Sequence, residues 1–311
     1  MENEVYLLGE VNPKLTEMLA GINLLTVRDL TNKTKIVALI VRGELAVDRE
    51  LITQLPNLKV IISAGIGYDN IDLEAAAERQ IPVANCPYAS AISTAEHSLA
   101  LTLSGMRNIV KSNLELREGR WDRKNNQVVQ FYNKKVGIVG MGRIGRYVAQ
   151  LYNAIGFEVL AYDPFVPNYH FQRVRANKIN SLELLCENVS YLSIHLPRSE
   201  ETHNIINSEN IKLLKHPNGI VNTCRGGIVN EEAVLKNLNS GDLDFYAADV
   251  FNNEPTPNSE LINNPKVIAT PHIAANTYDA QEQILSDVFS QLKEVLVENL
   301  KPAYLVGGSY L

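Results

Sequence analysis

Cysteine is scarce in this sequence. The three residues, Cys86, Cys186 and Cys224, stand at no metal-binding spacing. So few thiols in a chain of 311 residues argue against a disulfide framework and fit a reducing compartment. We therefore predict a cytoplasmic protein without a metal site.

Long apolar runs and an excess of positive charge are also missing. No run approaches the ~20 residues that span a bilayer, and the acidic start Met-Glu-Asn-Glu does not resemble a signal peptide. The formal net charge is −6, whereas binding to nucleic acid demands a basic face. These features predict neither a membrane nor a nucleic-acid partner.

What the sequence does contain is a steady alternation of short apolar runs and helical patterns. Residues 5–8, 36–41 and 58–63 are typical of buried strands, and Asp48 and Asp72 are placed to cap helices. Such alternation predicts α/β architecture, with parallel sheets wound by helices. A chain of 311 residues has room for two domains of this kind.

Two helical patterns are longer than the others. The first covers residues 93–112, with apolar residues recurring on one side. The second covers residues 277–298 and is amphipathic throughout. We predict one continuous helix for each.

A glycine motif stands between a predicted strand, residues 136–139, and a predicted helix, residues 143–155. Gly140 permits a tight turn, Gly142 lets the backbone approach a pyrophosphate, and Gly145 lets the helix pack closely on the strand. The helix N-terminus offers free N–H groups to phosphates, beginning with Arg143 and Ile144. This combination predicts a dinucleotide site.

The second strand of this unit, residues 158–162, ends at Asp163, where an acid should bind the adenosine ribose. A carboxylate there repels a 2′-phosphate, and no arginine follows it directly, so the sequence favours NAD over NADP. Further strands, residues 191–194, 219–222 and 245–249, end near the same predicted sheet edge. Residues at or just after the ends of these strands complete the predicted cofactor set: His195, Thr223, Cys224 and Asp249.

Three ionisable residues follow predicted strands at that edge: Arg225, Glu254 and His272. Arginine offers paired donors to a carboxylate or carbonyl, and histidine exchanges a proton near neutral pH. A carboxylate behind the histidine orients the ring and favours its protonated form. Spacing alone leaves open whether the three are instead surface or structural residues.

In these segments the sequence resembles the D-isomer-specific 2-hydroxyacid dehydrogenases. The resemblance is carried by residues 139–145, 161–164, 222–231, 248–255 and 270–275, and it covers nearly the whole chain. It implies that Arg225, Glu254 and His272 are catalytic. It also implies a substrate-binding loop, Gly65, Ile66 and Gly67, with Arg42 on the substrate side.

The resemblance further implies an architecture of two doubly wound parallel-sheet domains. A Rossmann NAD-binding domain, residues 103–275, would be inserted into a flavodoxin-like substrate domain, residues 1–102 and 276–311. It also implies a homodimer formed through the dinucleotide domain. Two departures from the family pattern are Gly43, where serine is frequent, and Cys224, where alanine is usual.

Three functions stay open at this point. The overall pattern is most similar to the phosphoglycerate dehydrogenase branch, which implies 3-phosphoglycerate and phosphohydroxypyruvate as substrates. A 2-keto acid reductase for glyoxylate, hydroxypyruvate or pyruvate is the nearest alternative. An NAD-sensing scaffold, like the transcriptional co-repressors that share the fold, is the alternative from another class.

Overall fold

The computed structural model describes residues 3–43 and 45–306. Contacts divide the chain into two compact units, unit 1 with Met1–Ala91 and Asn276–Leu311, and unit 2 with Ile92–Ala275. Residues 1–2, 44 and 307–311, which the sequence assigns to the substrate domain, lie outside the described residues. The functional domain boundaries stay a proposal.

Unit 1 contains a sheet of five parallel strands. The strands are β1 Asn3–Leu8, β2 Leu24–Val27, β3 Ile36–Val41, β4 Val60–Ser63 and β5 Val83–Ala84. Their order is β2-β1-β3-β4-β5, which is the flavodoxin-like order. The helices of this unit are α1 Lys14–Ala20, α2 Arg49–Gln54, α3 Leu73–Glu78 and α12 Tyr278–Leu296.

Local sequence explains these elements. All six residues of β3 are buried, as expected for a parallel strand covered on both faces. Asp48 and Asp72 accept hydrogen bonds from the backbone N–H groups of Leu51 and Ala75, each at 2.8 Å, so both predicted caps are confirmed. Thr277 caps the long helix α12 in the same way.

Unit 2 contains a sheet of seven parallel strands. The strands are β6 Lys135–Val139, β7 Glu158–Tyr162, β8 Asn177–Lys178, β9 Tyr191–Ile194, β10 Gly219–Asn222, β11 Phe245–Ala248 and β12 Val267–Ala269. The order β12-β11-β10-β9-β6-β7-β8 is that of a Rossmann sheet with a seventh strand added. The predicted fold class is confirmed for both units.

The helices of unit 2 cover both faces of this sheet. They are α4 Ala91–Met106, α5 Ile109–Arg117, α6 Arg143–Ala154, α7 Asn168–Arg173, α8 Leu182–Asn188, α9 Ser208–Leu213, α10 Glu231–Ser240 and α11 Ser259–Ile262. The single helix predicted over residues 93–112 is wrong, because Asn108 adopts a left-handed conformation, with φ of 51°, between α4 and α5. Asparagine tolerates this conformation better than most residues, so it breaks the helix without proline or glycine.

Candidate active site

The glycine turn between β6 and α6 has a separate steric reason for each glycine. Gly140 has φ of +96°, and a Cβ there would lie 2.4 Å from the carbonyl oxygen of His195. A Cβ on Gly145 would lie 2.0 Å from the carbonyl oxygen of Gly140. At Gly142 a Cβ would meet nothing within 4 Å, so the backbone faces open space there. This turn therefore fits a pyrophosphate over the N-terminus of α6, where Arg143 begins the helix.

Asp163 lies directly after β7 and beside the glycine turn. Its Oδ2 atom accepts the N–H of Met141 at 2.8 Å, and its Oδ1 atom accepts the N–H groups of Phe165 and Val166 at 3.0 and 3.1 Å. A carboxylate has about four acceptor positions, so three amides fix it and still leave capacity for a ribose hydroxyl. The geometry thus suits the predicted role of Asp163.

Five other predicted cofactor residues lie around this turn or at neighbouring strand ends. Ile144 packs partly against the core of unit 2. His195 is buried, its Nε2 atom is 2.8 Å from Ser193 Oγ, and burial lowers the pKa of its imidazole to about 3. The ring is therefore neutral. The Nδ1 atom of His195 has no hydrogen-bond partner among the described residues.

The strand β10 ends in a tight turn that presents Arg225. Asn222 anchors this turn, because its Oδ1 atom accepts the N–H and the thiol of Cys224, at 3.1 and 2.9 Å, and its Nδ2 atom donates to the Arg225 carbonyl at 3.0 Å. Burial raises the pKa of the Cys224 thiol to about 11, so the thiol is not ionised near neutral pH. The hydroxyl of Thr223 is 2.7 Å from Ser98 Oγ, on helix α4.

Arg225 is half-buried, and its Nη1 atom donates to the Cys224 carbonyl at 2.7 Å. A Cβ on Gly226 would lie 2.0 Å from the carbonyl oxygen of Phe251, so the turn packs tightly on the loop that follows β11. That loop carries Glu254. The structure thereby brings two predicted catalytic residues from different strands to one place.

His272 and Glu254 are in direct contact, with 2.7 Å between Nδ1 of the ring and Oε2 of the carboxylate. The second oxygen of Glu254 accepts the N–H of Phe251 at 2.9 Å. With Nδ1 engaged by the carboxylate, Nε2 is the ring atom left for a substrate. The imidazole is partly exposed, at 38% of its side-chain surface.

Electrostatics favours a charged pair. The hydrogen bond that His272 donates to Glu254 raises the pKa of His272, whereas burial and the positive charge of Arg225 act the other way. Burial would raise the pKa of Glu254, but hydrogen bonds from His272 and the Phe251 amide outweigh it and lower that pKa. The charge of Arg225 acts on the pKa of His272, so the three predicted catalytic residues interact electrostatically.

Asp249 is completely buried and contacts the turn that carries His272. Its Oδ1 atom accepts the N–H of Ile273 at 2.9 Å, and its Oδ2 atom accepts the N–H of Ala274 at 2.7 Å. Its backbone carbonyl accepts the N–H of His272, also at 2.9 Å. The carboxylate is thus committed to the turn that carries His272. Its assignment to cofactor binding stays a prediction.

The predicted substrate residues of unit 1 lie at the carboxyl edge of the five-stranded sheet. Gly65, Ile66 and Gly67 follow β4, and Ser63 Oγ donates to the Gly67 carbonyl at 2.6 Å. A further bond, from Asn85 Nδ2 to the Ile66 carbonyl at 2.7 Å, fixes the middle of this loop.

Arg42 follows β3 at the same edge, and burial lowers the pKa of its guanidinium. Gly43 has φ of +81°, where the frequent serine of the family pattern would be strained.

Sequence reasoning missed Ser63 and Asn85, which hold the unit 1 loop, and His97, whose ring contacts the residue two positions before His272. The signal for His97 was present in the sequence. Thr94, Ser98 and Thr102 recur every fourth residue of α4 and are buried, which marks a polar stripe on that helix.

The described residues contain neither a membrane-spanning helix nor a metal-binding cluster. Within residues 3–43 and 45–306, no helix is both long and apolar enough to cross a membrane. Across the same ranges, no group of three or more His, Cys, Asp and Glu side chains is placed to hold a metal ion.

Comparison with known sequences bears on the same residues. Residues 99–274 match the model of the D-isomer specific 2-hydroxyacid dehydrogenase, NAD binding domain. The D-3-phosphoglycerate dehydrogenase of Methanocaldococcus jannaschii is 37% identical over 296 residues, which are 95% of this chain and 56% of that protein. The Bacillus subtilis protein of the same name is 36% identical over 255 residues, 82% of this chain and 48% of that one. The chain spans about half the length of the curated relatives it matches.

Solved structures are similar over their full length. A glyoxylate reductase from Paecilomyes thermophila has a TM-score of 0.89 and 28% identity, and the match covers 98% of each chain. A D-lactate dehydrogenase from Aquifex aeolicus, complexed with NAD and lactic acid, has a TM-score of 0.88 and 25% identity, over 98% of this chain and 99% of that one.

Proposed function

The chain belongs to the D-isomer specific 2-hydroxyacid dehydrogenase family, and we propose that it is an NAD-dependent oxidoreductase acting on a small 2-hydroxy or 2-keto acid. The observation that carries this proposal is the 2.7 Å contact between His272 and Glu254 within the electrostatic reach of Arg225. An imidazole with a raised pKa beside a guanidinium is what proton exchange at a carboxylate-bearing carbon requires.

Bound NAD supplies the acceptor or donor of the hydride that leaves or enters C2 of the substrate. Every other step falls to side chains of this chain. Arg225 orients the substrate through its paired donors, on the carboxylate and the carbonyl oxygen. His272 takes the hydroxyl proton at Nε2 during oxidation and returns it during reduction. Glu254 stabilises the imidazolium through Nδ1.

The glycine turn and Asp163 suit NAD. Gly140, Gly142 and Gly145 allow the backbone to approach a pyrophosphate, and the buried carboxylate of Asp163 disfavours a 2′-phosphate. The remaining proposed cofactor residues are Arg143, Ile144, His195, Thr223, Cys224 and Asp249. In unit 1, the loop of Gly65, Ile66 and Gly67, together with Arg42, is proposed to bind the substrate.

For the substrate we propose 3-phosphoglycerate and its oxidised form, phosphohydroxypyruvate. Support comes from the relatives named D-3-phosphoglycerate dehydrogenase and from the half-buried guanidinium of Arg42, a cation suited to a phosphate. A 2-keto acid reductase for glyoxylate, hydroxypyruvate or pyruvate is the second candidate. The similarity to a glyoxylate reductase and to a D-lactate dehydrogenase favours it.

The oxidation of NADH by a panel of 2-keto acids tests this function. The panel is phosphohydroxypyruvate, hydroxypyruvate, glyoxylate and pyruvate, and we expect the largest kcat/KM for phosphohydroxypyruvate. A larger value for an unphosphorylated acid would select the second candidate. NADH binding without turnover of any acid would contradict the enzyme and favour the NAD-sensing scaffold.

Replacing Asp163 tests the choice of cofactor. We expect Asp163→Ala to raise the KM for NADH about 10-fold or more, because a hydrogen bond to a charged group contributes about 1.5–3 kcal/mol. The variant should also discriminate less against NADPH, since the repulsion of the 2′-phosphate is gone. Asp122→Ala is the matched control, because the Asp122 carboxylate also accepts a backbone N–H, from Asn125, but in an exposed loop. An unchanged NADH-to-NADPH preference would refute the ribose contact.

We also propose a cytoplasmic homodimer formed through unit 2. Helix α5 buries none of its residues and exposes three large apolar side chains, each by more than half: Ile109, Leu114 and Leu116. Trp121, just beyond this helix, is 78% exposed. A second copy of the chain would cover this surface. Light scattering should give twice the protomer mass of 34.6 kDa, and a monomer would contradict the proposal.

A further inference from the structure

Helix α4 carries a polar face that is buried rather than exposed. Ser98 and Thr102 are completely or almost completely buried, at 0% and 1% exposure. Thr102 Oγ1 is 2.6 Å from Tyr152 Oη, and Ser98 Oγ is 2.7 Å from Thr223 Oγ1, at the end of β10. His97, next to Ser98, reaches the end of β12 in the same way, through Thr270.

The contacts of His97 define the direction of its hydrogen bond. Its Nε2 atom is 3.0 Å from Thr270 Oγ1 and 3.6 Å from Asp249 Oδ1. The hydroxyl of Thr270 donates to Asp249 Oδ1 at 2.5 Å. A hydroxyl has one hydrogen, so the bond to the ring requires Nε2–H of His97 as the donor. A chain of donors therefore runs from His97 through Thr270 to Asp249.

The far end of this chain is the turn that carries His272. His272 has a left-handed φ of 53°, a conformation that costs a residue with a Cβ roughly 1–2 kcal/mol. Asp249 opposes that cost, because its carboxylate accepts the N–H groups of Ile273 and Ala274 and its carbonyl accepts that of His272. A shift of the Asp249 carboxylate would break these hydrogen bonds and let the His272 turn change conformation.

We propose that His97 is a positioning residue, which acts through Thr270 to fix the Asp249 carboxylate and thereby holds His272 against Glu254. The proposal rests on the proposed function, since it assigns the proton-exchanging role to His272. His97 itself touches no reacting atom in this scheme.

The charges around the network support it. Burial would raise the pKa of Asp249, but the nearby His97 ring and the hydrogen bonds from Thr270 and the amides of Ile273 and Ala274 outweigh it and lower that pKa. The buried carboxylate is therefore charged, and the loss of one hydrogen-bond donor would destabilise it. Charged groups that act on His272 are Glu254, Arg225 and Asp249, and Asp249 is the acid within 4 Å of His97.

The test replaces His97 with phenylalanine, which fills a similar space without a donor. We expect kcat/KM for the keto acid to fall by up to about 10-fold, the upper range for one lost hydrogen bond between uncharged partners, because His97 contacts the Thr270 hydroxyl. The pKa of His272, followed by NMR, should fall as its contact with Glu254 loosens. His97→Gln should restore both, because the amide nitrogen of glutamine can donate from the position of Nε2. Glu96→Gln, an exposed neighbour on α4, is the control and should change neither.

A second variant removes the same link from its other end. Thr270→Val deletes the hydroxyl at constant shape. The double variant with His97→Phe should lose little more kcat/KM than either single variant. A pKa of His272 that stays at its wild-type value in both folded variants would overturn the proposal. That NMR titration does not depend on turnover, so it is decided even if no 2-keto acid proves to be a substrate and the proposed function fails.

Discussion

His272→Asn should lower kcat by roughly 10²–10⁴-fold, the usual contribution of general acid–base catalysis. Asparagine is chosen because it tolerates the left-handed φ of 53° at this position, whereas alanine would add strain to the loss of the imidazole. The KM for NADH should stay nearly unchanged, because the glycine turn and Asp163 are intact. Steady-state kinetics with the best 2-keto acid of the panel measures both quantities.

The pH dependence should identify the same group. Reduction of a keto acid needs His272 protonated, and the Glu254 contact raises the pKa of His272 above its ordinary value of about 6.5. Reduction should therefore be fast at low pH and fall as pH rises through that raised pKa. Oxidation needs the neutral ring, so it should rise over the same interval. His272→Asn should remove this limb in both directions.

A second histidine–carboxylate pair provides the control. His216 Nδ1 is 3.1 Å from Asp244 Oδ2, but both residues precede their strands, β10 and β11, and so lie at the amino edge of the sheet. His216→Asn breaks a similar contact away from the proposed chemistry and should leave kcat within about 2-fold of the wild type, as expected for an exposed pair. A normal kcat in His272→Asn would remove this histidine from the mechanism.

Strands covered on both faces could be predicted from the sequence with their observed bounds. β3, β9 and β10 are short, fully buried and mostly apolar runs, because helices pack on both sides of a parallel sheet. β8 has two residues, Asn177 and Lys178, and sits at a sheet edge, where burial imposes no apolar pattern. The edge strand β2 was missed for a related reason, since Leu25 within it is 44% exposed.

The candidate site likewise contains some residues that the sequence predicts and others that it does not. The glycine turn and Asp163 lie within 24 residues, so one local pattern predicts them. Contacts between distant segments cannot be inferred in this way. His97 and Thr270 are 173 positions apart, and no spacing rule pairs them before the sheet order has brought both to one edge. The resemblance to a family predicts its shared residues and says nothing of such supporting contacts.

Arg225→Lys should lower kcat/KM by about 10²–10³-fold, the cost of removing one preorganised donor from a reacting oxygen. Lysine keeps the charge but loses the planar fork that binds a carboxylate and a carbonyl together. The backbone of the turn should not change, since Asn222 and the tight contact of Gly226 with Phe251 fix it. The loss should appear mainly in kcat, with a smaller rise in the KM for the keto acid.

Chemical rescue separates lost chemistry from lost structure. Arg225→Ala should be less active than Arg225→Lys, and added guanidinium should restore part of its activity because the cavity left behind matches that ion. Arg123→Lys, in the exposed loop after α5, is the control for an arginine-to-lysine change and should be neutral. Wild-type kcat/KM in Arg225→Lys would show that a point charge suffices at this position. The fork geometry would then have no part in holding the substrate, and the carboxylate would need another partner.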